Sequence, residues 1–165
     1  GAVGAMLYYP NDTIQHAGVI LGAHGVAAHA YSGHGRGYPG HMSRGRLIQS
    51  LSAVTAACMV VRREAFDAVG GFDPALQVAF NDVDFCLRLL EKGYRNIWTP
   101  FAELYHHESA SRGYEDSPEK LSRFNREVAY MRQRWGKFIE HDPAYSANHT
   151  TTDELFQLAF PPRGD

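Results

Sequence analysis

The chain has 165 residues, of which 44% are hydrophobic and 21% charged, and its formal net charge is -2. This length suits one domain that buries about 70% of the surface exposed by the unfolded chain. The small net charge argues against a general attraction to nucleic acid or to anionic membranes, and no apolar run approaches the roughly 20 residues of a membrane-spanning helix. The two cysteines, Cys58 and Cys86, lack a metal-type spacing and are expected to be reduced, which suits a cytoplasmic protein.

The first quarter of the chain predicts two strands and a long loop. Residues 2–9 and 13–21 are rich in Val, Ile, Leu and Tyr, and Pro10-Asn11-Asp12 between them predicts a tight turn. Residues 22–46 are rich in Gly and His instead, which predicts a functional or mobile loop, with a disordered linker as the alternative. Because the chain opens without Met, directly in a strand-like segment, we expect it to be a piece of a longer protein.

The middle of the chain predicts a strand and two helices. Residues 53–62 predict a buried strand, and a short helix from Glu64 to Val69 should end at Gly70-Gly71. A longer helix is predicted from Asn81, as N-cap, to Lys92, and Gly93 stops it. Its buried face repeats at helical spacing: Val83, Cys86, Leu87 and Leu90.

The last third predicts two more strands, a long helix and a tail. Strands are expected at Tyr94–Thr99 and Glu103–His107, separated by Pro100. Ser117-Pro118 then opens a helix that Gly136 should end. The apolar seam of this helix comprises Leu121, Phe124, Val128, Met131 and Trp135. The tail after residue 141 is expected to wrap the domain or fray, and the mixture of strands and helices predicts an α/β fold.

Three segments between residues 54 and 113 carry the clearest functional pattern. In chain order they read VTAACMVVRREAFDAVGGFDP, NDVDFCLRLLEKGYRNIWTP and AELYHHESASRG. Together they resemble the C-terminal half of inverting, family-2 glycosyltransferases of the GT-A fold, and in particular bacterial enzymes that build rhamnose-containing or related surface polysaccharides. The resemblance implies a mixed sheet with flanking helices. Residues 1–136 would form the acceptor-side half of the catalytic domain, and residues 137–165 a C-terminal extension.

The resemblance also implies a reaction, namely sugar transfer from a nucleotide-diphospho-sugar with the help of a divalent cation, Mg or Mn. Such a transfer needs a base for the acceptor hydroxyl and a positive centre for the departing diphosphate. Asp82 matches the base, and a helix N-terminus keeps a carboxylate there ionised, although an Asp at that position can also serve only to cap the helix. Asn81 stands where the family more often has Glu. Asp84 either supports the site or pairs with Arg88 one turn further on, and the structural role is favoured.

The positive centre is expected near His106-His107. His106 best matches the late His that helps such enzymes to hold their cation, and His107, on the opposite face of the strand, would pack or form hydrogen bonds. Ser111 and Arg112 lie in a segment that resembles the loop over the donor diphosphate, and a guanidinium fork suits a phosphate. The sequence has no D-x-D apart from Asp82-Val83-Asp84. We therefore expect most of the donor site to lie upstream and the 165-residue chain alone to be inactive.

The implied partners are the nucleotide sugar and a glycan or lipid-linked acceptor, without nucleic acid, and peripheral association with the inner membrane is left open. Tyr31, Tyr38 and His41 are expected to contact the acceptor sugar. Two other functions remain open at this level. One is a non-catalytic carbohydrate-binding or assembly module. The other is a zinc hydrolase that uses the loop histidines with His106 and His107, although no two histidines have the H-x-x-x-H spacing.

Overall fold

The computed structural model describes residues 1–107, 117–152 and 154–163, and it is centred on a curled, mixed sheet. The strands of this sheet are β1 (Val3–Tyr8), β2 (Ile14–His16), β5 (Gln49–Leu51), β6 (Met59–Val60) and β7 (Asn96–Tyr105). Their order is β2-β1-β7-β5, and β6 also pairs with β1. Strands β1 and β7 are parallel, and the other pairs are antiparallel. A second, two-stranded sheet pairs β3 (Val19–Leu21) with β4 (Ala27–His29).

Three α-helices accompany the sheet in the described residues: α1 (Arg63–Ala68), α2 (Asn81–Glu91) and α3 (Pro118–Glu140). Short 3-10 turns occur at Ala23–Gly25, His41–Arg46 and Ala56–Cys58. A mixed sheet with flanking helices confirms the predicted α/β class and is the arrangement expected for part of a GT-A domain. None of the helices described has the length and apolar character needed to cross a membrane.

The main core lies between the sheet and the helices α2 and α3. Trp98 of β7, Phe85 of α2 and Met131 of α3 are all fully buried and belong to one apolar cluster. Burying a side chain of this size contributes about 1.5–3 kcal/mol. The two thiols are free, as expected, and Cys86 lies within the same core.

Two strands predicted in the first half of the chain differ from the structure. The segment 13–21 divides at Gly18, whose φ is 99° and whose Cβ, if present, would collide with Leu51, so that β2 joins the main sheet while β3 joins the small one. The prediction of a buried strand at 53–62 is wrong, because Ala56–Cys58 forms a 3-10 turn and the strand β6 comprises just Met59–Val60. The Thr55 side chain caps that turn by accepting a hydrogen bond from the Ala57 N–H.

Pro100 does not divide β7, contrary to the sequence prediction. The strand continues through it, and its pairing with β1 shifts instead: Ala5 lies opposite Thr99, whereas Met6 lies opposite Glu103. Three residues of β7 are thus left over between these pairs, which is how a strand accommodates a proline that lacks an N–H.

The helix ends confirm part of the prediction. Ser117 caps α3 by accepting a hydrogen bond from the Lys120 N–H. Asn81, however, is the first residue of α2, and Phe80 takes the N-cap position. Gly136 does not end α3, which continues to Glu140 after a kink at Trp135, where the buried indole keeps the helix packed on α2. The apolar seam is buried only at its C-terminal end, since Leu121 is 55% exposed.

The Gly/His-rich loop has defined structure and is tied to its surroundings, so that the disordered-linker alternative is wrong. The Arg36 guanidinium binds Asp12 at 3.0 Å and the Tyr105 hydroxyl at 2.8 Å, and it lies over the Tyr8 ring. The ring of Tyr31 stacks on Phe156 of the tail at 4.7 Å. The tail wraps the domain as expected.

The buried carboxylate of Asp142 attaches the start of the tail to β3 and to the residue that follows β5. It accepts hydrogen bonds from the Leu21 N–H at 2.8 Å, the Ser52 hydroxyl at 2.5 Å and the Ala144 N–H at 2.8 Å. Burial raises its pKa above the ordinary range, and these donors partly oppose the shift.

Acid should destabilise the fold through His16. Burial, together with the nearby His29 ring, holds the pKa of His16 well below its ordinary value of 6.5. The folded protein therefore keeps this imidazole neutral, while the unfolded chain protonates it. We expect the free energy of unfolding to fall as the pH drops below 6.5, with a slope approaching about 1.4 kcal/mol per pH unit from this residue.

Urea denaturation between pH 7.5 and 5 measures this slope. The matched variant is His16→Gln, whose amide oxygen can still accept from the Thr55 N–H but does not titrate. The free energy of unfolding of this variant should depend less steeply on pH, and the difference in slope is the contribution of His16. Equal slopes in the two proteins would show that His16 does not control the acid response.

Candidate active site

Asp82 lies half-buried in the first turn of α2 and is held by two backbone donors. Its Oδ2 accepts a hydrogen bond from the Ala56 N–H at 3.0 Å, and its Oδ1 accepts one from the Val83 N–H at 2.9 Å. Each carboxylate oxygen has a further lone pair, so this arrangement orients the group without using its capacity to accept a proton. Helix position and partial exposure both suit a general base.

Asp84, two residues further on, lies in a different environment. Its side chain is fully buried, and it accepts hydrogen bonds from Arg88 Nε at 2.8 Å and from the Trp135 indole N–H at 2.9 Å. Arg134 also lies 3.2 Å from it. The predicted pairing with Arg88 is confirmed, and this environment favours the structural interpretation of Asp84. Asn81, at the start of the helix, is half-buried beside Asp82.

His106 follows the end of β7, and Gln15 of β2 fixes its ring. The distance from His106 Nδ1 to Gln15 Oε1 is 2.8 Å, while the His106 N–H donates to the Tyr8 carbonyl at 2.9 Å. With Nδ1 donating to Gln15, the neutral tautomer of this ring keeps its lone pair on Nε2, as in metal-binding histidines. His107 is exposed. The contacts of His106 suit a metal ligand, and that role stays a prediction.

The strand β2 links both candidate groups. Gln15 contacts His106, while the side chain of His16 accepts a hydrogen bond from the Thr55 N–H at 3.4 Å. The next residue, Ala56, donates to Asp82. Two consecutive residues of this buried strand thus contact the surroundings of both candidates: Gln15 binds His106 directly, and His16 holds the start of the turn that binds Asp82.

The sequence prediction missed Gln15, although the sequence carried one usable signal, the adjacent polar residues Gln15 and His16 in a predicted strand. Gln15 is 3% exposed, and a side chain so deeply buried is expected to have polar partners. Ser111 and Arg112, the predicted diphosphate contacts, lie outside the described residues.

A metal centre that includes His106 would need further ligands besides the described side chains. Across the described ranges, no group of three or more His, Cys, Asp or Glu side chains is placed to hold a metal ion. The ring of His34 stacks on Tyr38 with 4.0 Å between ring centroids, and that of His41 contacts His149 at 4.9 Å, so these two loop histidines are engaged in ring contacts. Zinc sites use three or four protein ligands, a set that the described residues do not bring together.

A cleft of about 440 Å³ separates the Gly/His-rich loop from the tail. It is lined by His24, Ala28, His29, Tyr31, Ser32, His34, Glu154 and Leu155. Burial raises the pKa of the Tyr31 phenol to about 12, and this hydroxyl accepts a hydrogen bond from the His41 N–H. The expected contacts of Tyr31, Tyr38 and His41 with an acceptor sugar stay a prediction.

The family of the chain follows from comparison with known proteins. Residues 4–139 match the family described as Glycosyl transferase family group 2. Since this match covers most of the chain, the chain belongs to that family, and the resemblance noted in the sequence is confirmed.

The chain is also similar in sequence to three individual proteins. A protein of Sinorhizobium fredii named "uncharacterized protein y4gI" is 54% identical over 98% of the chain, and the O-antigen biosynthesis protein RfbC of Myxococcus xanthus is 38% identical over 92% of it. The chain spans only 18% and 12% of their respective lengths. The N-acetylglucosaminyl-diphospho-decaprenol L-rhamnosyltransferase of Mycobacterium tuberculosis is 40% identical over 60 residues, which are 36% of the chain and 20% of that protein. No solved structure matches the chain.

Proposed function

We propose that the chain is the acceptor-side half of the catalytic domain of an inverting glycosyltransferase, with Asp82 as general base. The observation that carries the proposal is the half-buried Asp82 carboxylate, which the Ala56 and Val83 N–H groups orient at the start of α2. Membership of a glycosyl transferase family supports the class of reaction.

The reaction that this placement serves is a single displacement. Asp82 takes the proton of an acceptor hydroxyl while the hydroxyl oxygen forms a bond to the anomeric carbon of the donor. The bond between that carbon and the diphosphate oxygen breaks at the same time, so that the configuration inverts. Asn81 would line the path of the acceptor toward Asp82. Asp84 would hold α2 in place through its buried contacts with Arg88 and Trp135.

The departing nucleoside diphosphate would be held on the side of His106. This residue would provide one ligand to a divalent cation, Mg or Mn, through Nε2, and Gln15 would keep the ring in that orientation. A bound cation supplies neutralisation of the charge that builds up on the leaving group. Ser111 and Arg112 would contact the phosphates, and exposed His107 would not take part.

The donor half would come from sequence outside these 165 residues, because the chain lacks a D-x-D in a loop setting and its relatives are several times longer. The names of the relatives support a place in surface-polysaccharide synthesis, with a nucleotide sugar as donor and a glycan or lipid-linked acceptor. We place this reaction in the cytoplasm, with or without peripheral contact to the inner membrane. A carbohydrate-binding module without catalysis is the weaker candidate.

The test is an assay of the full-length enzyme against a panel of nucleotide-diphospho-sugars, with the anomeric configuration of the product determined by NMR. We expect transfer from one or a few donors with inversion at the anomeric carbon. The 165-residue chain should be inactive in the same assay. A product of retained configuration, or robust transfer by the 165-residue chain, would contradict the proposal.

A further inference from the structure

A buried glutamate on α3 holds the segment that leads into the candidate base. Glu127 is 3% exposed, and its carboxylate accepts three backbone hydrogen bonds: from Gln77 at 3.0 Å, Val78 at 3.2 Å and Ala79 at 2.8 Å. Hydrogen bonds to an ionised acceptor are roughly twice as strong as neutral ones. One side chain therefore fixes three consecutive residues that end three positions before Asp82.

The residue between this segment and α2 has a strained backbone. Phe80 has a φ of 61°, which is unusual for a bulky side chain and costs about 1–3 kcal/mol. Such a conformation persists only where the surroundings impose it. The Phe80 carbonyl accepts the first hydrogen bond of α2, from the Asp84 N–H at 2.9 Å, so the strain lies at the point where the helix starts.

Two residues of α3, one helical turn apart, support the backbone conformation of Phe80. Phe124 packs its ring against that of Phe80 at 5.7 Å, and Glu127, one turn later, binds the three preceding N–H groups. Docking of α3 onto the domain does not depend on these contacts alone, because Tyr130 and Arg134 bind Asp73, both at 2.8 Å. The hydrogen bonds of Glu127 therefore hold the backbone at residues 77–79, which the contacts of Tyr130 and Arg134 with Asp73 do not do.

We propose that Glu127 is a positioning residue, which sets the start of α2 so that Asp82 meets the Ala56 N–H and faces the acceptor. The proposal rests on the proposed function, in which Asp82 is the base. Glu127 itself touches neither substrate nor reacting atoms. It acts through the backbone at residues 77–80, and a shift of about 1 Å in a reacting group can lower a rate by about a hundredfold.

The experiment compares Glu127→Gln with Asp142→Asn in the full-length enzyme. Asp142 is a matched control, since it is also a buried carboxylate with three hydrogen-bond donors, but these donors lie on Leu21, Ser52 and Ala144, none of which belongs to the segment before α2 or contacts Asp82. In Glu127→Gln the amide NH₂ faces backbone donors, and at least one hydrogen bond is lost. We expect kcat per folded molecule to fall about ten- to a hundredfold, with KM changed less than about twofold. Hydrogen exchange of the amides at 77–79 should accelerate.

Asp142→Asn should leave kcat unchanged. If Glu127→Gln does not fold, Glu127→Asp, which keeps the charge on a shorter side chain, gives the same comparison. Equal kcat values for the Glu127 variant and Asp142→Asn would overturn the positioning role. Asp82→Asn, measured in the same assay, separates a failure of the proposed function from a failure of the positioning role. Full activity of Asp82→Asn would overturn the proposed function itself, whatever the Glu127 result.

Discussion

Replacement of Asp82 by Asn is expected to lower kcat of the full-length enzyme by about 10²–10⁴-fold, the range that general-base catalysis contributes. The amide has nearly the same shape as the carboxylate, and its oxygen can keep one of the hydrogen bonds from Ala56 and Val83. It cannot take the proton of the acceptor hydroxyl. Because binding groups are unaffected, KM for donor and acceptor should change little.

The measurement is steady-state transfer at saturating donor, with circular dichroism and thermal unfolding of the same samples. Loss of the charge at the start of α2 should cost about 0.3–1 kcal/mol of stability, which is too little to unfold the domain. Asp67→Asn is the control, because Asp67 is 63% exposed on α1 and only its 3.7 Å pair with Arg63 is disturbed. Undiminished transfer by Asp82→Asn would remove Asp82 from the mechanism.

The parts of the fold that the sequence predicted correctly are those with local causes. Helix α2 follows from apolar spacing and from Gly93, and the start of α3 follows from Ser117 and Pro118, all of which act within one or two turns. The errors lie where distant residues decide. The Ala56 N–H in the turn at residues 56–58 binds Asp82, 26 residues away, and α3 passes Gly136 because Trp135 donates to Asp84, 51 residues away.

The candidate site divides in the same way. Asp82 and His106 could be proposed because the motifs around them resemble a family, and that resemblance is carried by short stretches of sequence. Gln15 and Glu127 could not be assigned roles, since the groups they bind lie 91 and about 50 residues away in the chain. In the sequence each is a polar residue with another polar residue beside it, and the structure shows that it is buried. Supporting residues of this kind need the tertiary structure to connect them to a site.

Replacement of Asp84 by Ala should have the largest effect on stability, a loss of about 3–5 kcal/mol, because removing one partner of a buried ion pair leaves the other charge uncompensated. The Arg88 side chain is 12% exposed and would lose its carboxylate, and the Trp135 indole N–H would lose its acceptor. Chemical denaturation of the variant and of Asp67→Ala measures the difference. The latter breaks an exposed pair of the same spacing and should lose only about 0.3–0.5 kcal/mol. A loss below about 1 kcal/mol in Asp84→Ala, combined with a large fall in kcat, would instead assign Asp84 to catalysis and contradict the structural role that its burial supports.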